Sequence, residues 1–546
     1  MNENMRIENL NQFKRAATSG WVLAILAGLF YLLLSSTRLD GQGLYYDEAH
    51  QATAAFAYVG EPVFQFAALK VNGLPLMNMP YSGAIKTGLY GVYLRLSGRP
   101  FEVVSWRLTG ILLVTSGLVL FGLILRKRFP LSGMVVFTFF LLTDVTFILT
   151  TRHDWGPVAL GAFFRLMLMA VWLRGELSEE TRARSSFWLG SLVGISIFEK
   201  LSSVVLLIAL FVMLFGSPRR RNLRHVLAAI GGGIFGGIPL IFANLSSYFS
   251  SGTLISFQFQ STQSALSVGG FFHYLVEAVS LGAGSVAMNF ILGHGQMPYA
   301  EVIEASLMAV ILLGLVFSMA RSSCSSALLR SARIMLLAYA GILAAFYFFP
   351  QPTWIHHWIV GSPFQYAALG LFVAAARKGE VRWNGNVFRQ MGFGLLVLFC
   401  FFRAGGMFAL EQSLLRGDAS EKWDPSLTRM GQFAGQNVDK ALFFAGDWGV
   451  ANQMICFTNG NPEVVYERDW TSTDVKDILG VALNSHRKEI YLVFPKPIYF
   501  ATPETRAVII DEVTQGLSPD WQVEPPEDVL LRNLSSVSVV RYKKVR

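Results

Sequence analysis

Apolar runs of membrane-spanning length recur along the chain as far as residue 410, and nearly every other expectation follows from them. A helix needs about 20 mostly apolar residues to cross a bilayer. Eleven candidate runs lie near 20–36, 104–125, 131–149, 156–173, 186–198, 201–216, 226–243, 300–320, 334–350, 358–376 and 390–410. Of the 546 residues 53% are hydrophobic and only 15% are charged, against roughly 25% charged in a soluble domain. So few charges cannot cover a water-facing surface, and a polytopic membrane protein is expected. The first run follows Lys14 and Arg15 with no small-residue cleavage site after it, so it reads as a retained anchor.

The basic residues give an orientation. With the N-terminus cytoplasmic, the inner segments carry "RKR" (126–128), Arg174 with "RAR" (182–184), "RRRNLR" (219–224), "RSSCSSALLRSAR" (321–333) and "RKGEVRWNGNVFR" (377–389). The outer segments 244–299 and 351–357 carry no Lys or Arg. This is the positive-inside pattern, and it accounts for the net charge of +9 as contact with lipid headgroups rather than nucleic acid. Three scattered cysteines fit neither a disulfide framework nor a zinc site. Past residue 411 strand-like strings ("KALFFAG", "EVVYERDW", "EIYLVFP", "VSVVRY") alternate with helix-like ones, as in a small α/β domain with a mainly parallel sheet. The expected architecture is therefore an all-α polytopic membrane domain over 1–410, with about eleven transmembrane helices and surface helices in its first outer loop. A small exoplasmic α/β domain over 411–546 follows.

Asp47-Glu48-Ala49-His50 spells the DEAH box of nucleic-acid motors. Such a motor also needs a phosphate-cradling G-x-x-x-x-G-K-[ST] loop, and no such string occurs. The carboxylates instead lie about ten residues past the first span, on the outer side.

Other ionisable residues gather at that same face. They are Lys86, Arg107, the Arg152-His153-Asp154 turn in "TRHDWGP", Glu199-Lys200, His294 and the His356-His357 pair. No charged ladder is expected through the middle of the spans. A carboxylate here can take the proton of an attacking hydroxyl, and Lys, Arg or His can hold a departing phosphate. By position Arg107 joins the phosphate-binding candidates, and Arg152 and His153 the substrate-binding ones. Each residue also has a plainer role. Asp47 and Glu48 can cap a surface helix, Asp154 can cap the helix after Pro157, and Arg107 and Lys200 can anchor in headgroups. Convergence on one face carries the functional reading. The alternative, a transporter or flippase for lipid-linked sugars, would place polar sites near the midplane. The paired carboxylates could take a divalent cation, but nothing in their spacing indicates a metal.

The strings "YYDEAH", "MPYSGAIKTGLYGVYLRLSGRP…SWRLTG" and "TRHDWGPVAL", with "HHWIVGSPFQYAALGL" further on, together resemble the GT-C superfamily of integral-membrane glycosyltransferases. The similarity is greatest to the protein O-mannosyltransferase and lipid A aminoarabinose transferase branches. It implies a polyprenyl-phosphate-linked sugar as donor, inversion at the anomeric carbon, a lipid, glycan or protein acceptor, and no required cofactor. It carries the catalytic acid of the first outer loop onto Asp47, with Glu48 beside it, and the second outer acid onto Asp154. Donor-phosphate contacts fall on Lys86 and Lys200, then on His356 and His357. The chain lacks the β-trefoil domain of the first branch, and Lys86 is followed by Thr87-Gly88 where the second branch has a Lys-Pro-Pro string.

Overall fold

The computed structural model describes residues 3–61, 68–178, 182–257, 268–295, 299–322, 326–349, 353–381, 386–446, 448–461, 463–495, 502–524, 534–535 and 537–545. Its helices run in chain order α1 (Glu3–Ser36), α2 (Tyr46–Thr53), α3 (Ile85–Ser97), α4 (Val103–Leu125), α5 (Leu131–Leu142), α6 (Val145–His153) and α7 (Val158–Ser178). Then come α8 (Ala183–Glu199), α9 (Leu206–Gly216), α10 (Leu223–Ser251), α11 (Val268–Val279), α12 (Ser285–Leu292), α13 (Ala300–Arg321) and α14 (Ala327–Tyr347). The short α15 (Ile355–Trp358) precedes α16 (Ser362–Arg377), α17 (Asn386–Arg416), α18 (Pro425–Gln436), α19 (Trp448–Phe457), α20 (Ser472–Asn484) and α21 (Pro503–Gly516).

Seven of them, α1 from Ser19 onward, α4, α7, α10, α13, α14 and α17, are long and apolar enough to cross a membrane. The chain is an integral, multi-pass membrane protein. The remaining expected crossings fall on shorter helices: α8, the Leu201–Gly216 segment ending in α9, α16, and the α5–α6 pair, which is bent by 63°.

That bend corrects one expectation. Charged groups do lie within the spans. At the α5–α6 break Asp144 caps α6 by accepting the Phe147 N–H at 2.8 Å and accepts the Tyr366 hydroxyl at 2.7 Å. Arg403 of α17 donates to the Tyr366 hydroxyl at 2.7 Å and to the freed Thr143 carbonyl at 3.1 Å, and pairs with Glu304 of α13 at 2.8 Å. Broken helices survive inside a bilayer only where protein groups satisfy the exposed backbone. Sequence alone does not reveal this partnership, because its members stand up to 259 positions apart (403 − 144).

Helices α8 and α10 pack almost backbone to backbone. A Cβ added at Gly190 would lie 1.9 Å from the Ala229 carbonyl oxygen, and one at Gly232 would lie 1.9 Å from that of Phe187. Gly194 and Gly236 repeat the contact one turn on. Small residues four apart permit this approach where no hydrophobic force between helices exists.

The first loop holds α2, a 3-10 turn (Ala54–Val59), and an antiparallel three-stranded sheet of β1 (Leu69–Val71), β2 (Leu74–Met79) and β3 (Ser82–Gly83), then α3. The two helices coincide with the expected surface helices; the sheet was not foreseen. The C-terminal domain holds β4 (Ala441–Gly446), β5 (Val465–Arg468), β6 (Glu489–Pro495), β7 (Trp521–Glu524) and β8 (Val537–Lys544) in the order β5-β4-β6-β8-β7. Only the β4–β5 and β4–β6 pairs are parallel; the two that β8 makes are antiparallel. The mainly parallel sheet expected is thus a mixed one, since β8 runs antiparallel to both of its neighbours.

Gly232→Leu should lower stability by about 2 kcal/mol or more, a large effect for a single change. Gly231→Leu, whose added Cβ meets nothing within 4 Å, should be near neutral. Thermal unfolding of the two purified variants checks this, and equal midpoints would refute the packing argument.

Candidate active site

Helix α2 is fixed from both ends. Before it, the Gly43 N–H donates to the Trp423 carbonyl at 2.6 Å, and a Cβ at Gly43 would come within 2.2 Å of the Asp424 carbonyl oxygen. Tyr45 stacks on the Trp423 ring with centroids 4.5 Å apart. On its outer side α19 of the C-terminal domain packs against it, with the Cys456 thiol donating to the Ala49 carbonyl.

The acids of α2 meet different surroundings. Glu48 is buried and accepts two bonds from Arg107, at 2.9 Å from Nε and 2.8 Å from Nη2. Arg107 spends its remaining donors on the carbonyls of Leu39, Gln42 and Gly43. Such a two-pronged pair is the strongest geometry available to a buried carboxylate. Asp47, one residue earlier on the helix, keeps part of its surface accessible and accepts a hydrogen bond from the Trp155 side chain. Burial pushes its carboxyl up to about 6, against the pull of the Lys200 charge.

The "TRHDWGP" turn delivers the second acid. Asp154 caps α6 in the left-handed region at φ 49, and Gly156 follows at φ +69 before Pro157 leads into α7. A non-glycine residue held there is strained, and here bonds on each side hold it. Its Oδ1 accepts the Ala159 N–H at 2.7 Å and its Oδ2 pairs with Lys86 at 2.7 Å. Lys86 and Asp154 are both buried, and the ammonium lies 3.7 Å from the Trp106 ring centre. Gln51 of α2 donates to the Asp154 carbonyl at 3.4 Å, tying the two acid-bearing segments together.

Lys200 follows α8 and is placed by a bridge from its backbone to Ser82 of β3. It makes no ion pair among the described residues, yet its charge acts on both Asp47 and Asp154. Its Nζ sits over Gly156, 2.8 Å from where a Cβ would be. Burial pulls the ammonium down to about 8, and Asp47 is the first influence opposing that. The neighbouring Glu199 accepts the Ile85 N–H at the start of α3 and so sets the turn that carries Lys86.

The histidine pair approaches from α15. His356 stacks on Trp155 at 4.8 Å, and its ring lies 4.0 Å from that of His357. Burial lowers both imidazoles well below their ordinary range, and Lys200 lowers them further, so both are neutral hydrogen-bonding groups.

Asp47, Asp154, Lys86, Lys200, His356 and His357 thus come together around Trp155. Glu48 and Arg107 stand beside them as a closed pair. Arg152 and His153 instead face the end of α1. Arg152 donates to the carbonyls of Ser35, Thr37 and Arg38, and His153 bonds the Leu149 carbonyl and reaches Gln42. Two residues escaped the sequence reading. Trp155 was taken only as part of a turn. Arg165, inside the apolar run 156–173, is buried in α7 with Nε and Nη2 unpartnered among the described residues. An ionisable residue inside an apolar run was the available signal.

No protein-family model and no curated protein matches the chain. In shape it is similar to ArnT from Cupriavidus metallidurans in the apo state, with a TM-score of 0.59 and 14% identity over 96% of this chain and 98% of that one. ArnT from the same organism bound to undecaprenyl phosphate gives a TM-score of 0.58 at 13% identity, with the same coverage. The arabinofuranosyltransferase AftD from Mycobacteria gives 0.52 at 12% identity, covering 96% of this chain and 40% of that one. The chain has the GT-C fold. Within this fold Asp47 and Glu48 of the first loop and Asp154, far apart in sequence, meet at one end of the helix bundle.

Because Glu48 and Arg107 form a fully buried ion pair, Glu48→Leu or Arg107→Leu alone should cost about 3 kcal/mol or more. The double Leu variant should recover part of that, since no charge is left unpaired, while the Leu39, Gln42 and Gly43 carbonyls still lose their donor. Thermal midpoints of the three variants test this; single variants as stable as the parent would sink it.

Proposed function

We propose that the protein is a membrane glycosyltransferase that moves a sugar from a polyprenyl-phosphate-linked donor to an acceptor hydroxyl, with Asp47 as general base. The observation that carries this reading is the unequal pairing at the site. Glu48 is neutralised by Arg107 and Asp154 by Lys86, both within 2.8 Å, while Asp47 and Lys200, which keep part of their surface accessible, have no such partner among the described residues; Arg165 has none either but is buried. One accessible base and one available cation are what a single displacement requires. The shared shape of ArnT bound to undecaprenyl phosphate supports the donor class.

In the proposed step the acceptor hydroxyl oxygen forms a bond to the anomeric carbon while the bond from that carbon to the phosphate oxygen breaks. The electron pair leaves on the phosphate, the hydroxyl proton passes to Asp47, and the anomeric centre inverts. Lys200 stabilises the charge growing on the departing phosphate. Neutral His356 and His357 donate hydrogen bonds near it. Lys86 and Asp154 position one another and the turn, and Glu48 with Arg107 positions α2. The orientation with the N-terminus inside and the site outside rests on the placement of basic residues at the opposite ends of the spans.

A base with its carboxyl near 6 works only when ionised, so transfer should fall as pH drops through about 6. Lys200 holds phosphate only when charged, so transfer should also fall as pH rises through about 8. A bell-shaped rate profile with those limbs is expected; a flat profile across pH 5–9 would remove both roles.

Asp47→Asn should reduce transfer from a panel of undecaprenyl-phosphate sugars by about 100-fold or more. The same variant should be more stable. A carboxyl raised from 3.8 to about 6 contributes stability only while protonated, and this is lost as pH rises through about 6. At pH 7 Asn should therefore gain on the order of 2 kcal/mol. Parental transfer by a folded Asp47→Asn protein would overturn the assignment. Mass spectrometry of envelope glycolipids and glycoproteins in a deletion strain would identify the sugar and its acceptor.

A further inference from the structure

The helix ends far from the carboxylates carry a second feature. Helices α13, α16 and α17 line an open apolar cleft of about 1190 Å³, walled by residues such as Val310, Leu315, Phe372 and Leu398. Arg321, Arg377 and Arg389 line it at one end. Arg321 closes α13, Arg377 closes α16, and Arg389 lies in the first turn of α17. All three are exposed, and none forms an ion pair among the described residues; the Arg321 guanidinium lies 3.9 Å from the Phe317 ring. The opposite end of α16 follows directly on His356 and His357. Sixteen residues at a rise of 1.5 Å each give about 24 Å between them, so this cavity is separate from the acid cluster.

Its depth identifies the class of occupant. From Arg321 back to Val310 the wall runs eleven residues along α13, about 16 Å, which matches one leaflet of a hydrocarbon core about 30 Å thick. A long isoprenoid would overfill that depth, and a soluble anion would leave the apolar wall unused. Glycines keep the cleft open, since a Cβ at Gly314 or Gly394 would meet nothing within 4 Å.

We propose that the cleft between α13, α16 and α17 binds an anionic phospholipid, with an acyl chain along the apolar wall and the phosphate held by Arg321, Arg377 and Arg389. Basic pockets between transmembrane helices recognise such headgroups, and guanidinium forks suit phosphate oxygens. The site lies a leaflet away from the proposed sugar chemistry and does not depend on it.

The test uses the full-length protein in detergent, titrated with phosphatidylglycerol or with phosphatidylcholine of identical acyl chains. Bound lipid is counted by native mass spectrometry, and the unfolding midpoint is followed in parallel. Phosphatidylglycerol should bind at least about tenfold tighter than phosphatidylcholine and raise the midpoint by several degrees. The R321Q/R377Q/R389Q variant should lose that preference, whereas R182Q/R221Q/R224Q, with the same loss of charge away from the cleft, should keep it. Gly314→Phe fills the wall while sparing the arginines, and should also abolish tight binding, so the proposal stays testable if the triple variant misfolds. Equal binding of the two lipids, equal loss in the control variant, or displacement of the lipid by millimolar inorganic phosphate would each overturn it.

Discussion

The Arg107 guanidinium is the point on which the geometry of this protein turns. It enters from the first turns of α4 and spends every donor at once, on both oxygens of Glu48 and on three carbonyls of the 39–43 segment. A guanidinium buried this fully must be matched by charge and hydrogen bonds. The match exists only if the chain leaving α1 turns back over α4 and begins α2 there. Asp47 is carried into place by that turn. The acid read here as the base is therefore positioned by a neighbour that does no chemistry, and the adjacent letters Asp-Glu divide into one free and one committed carboxylate.

The same logic orders the rest of the cluster. Charges gather at this end of the bundle because a bilayer interior would exact too much for them singly, and each pair formed removes a candidate from the chemistry. Lys86 is taken by Asp154, Arg152 by the end of α1, and the histidines by burial that keeps them neutral. Of the groups that keep part of their surface accessible, Asp47 and Lys200 remain, each shifted toward neutrality by burial and each drawn toward its charged form by the other. The proposed donor and acceptor would bring a phosphate and a hydroxyl proton to these two groups.

Periodicity and composition made the membrane helices legible, since an apolar run of 20 residues has few other uses. The strands of the tail domain were legible for a similar reason: "EIYLVFP" and "VSVVRY" are rich in β-branched and aromatic residues. The 4-residue β7 (Trp521–Glu524) was not, because it is short and alternates weakly. The members of the candidate site could be named from their position at span ends, but their pairing could not. Whether Glu48 or Asp47 meets Arg107 depends on which way α2 rotates, and that is decided by packing from Trp423 and α19, nearly 400 residues away. Asp144, Glu304 and Arg403 lie in three different apolar runs, and no spacing in the sequence relates them. Only the fold shows that they join across three helices to close a broken one.

That dependence gives the C-terminal domain a physical purpose. Helix α2 is 8 residues long, too short to be stable by its own hydrogen bonds, and it lies outside the spans, where lipid cannot confine it. Its outer face is covered by α19, with Cys456 bonded to Ala49 and Gly449 packed near Tyr46. Farther along the first loop, Gly460 lies against Phe56 so closely that a Cβ there would come within 2.9 Å of it. The Phe101 N–H, just before α4, donates to Asn459 of the same segment. The tail domain therefore clamps both the helix that bears Asp47 and the approach to the helix that bears Arg107. It supplies from the aqueous side the rigidity that the bilayer supplies to the spans, which is why a domain with no catalytic constellation among its described residues can still be required for the geometry of the site.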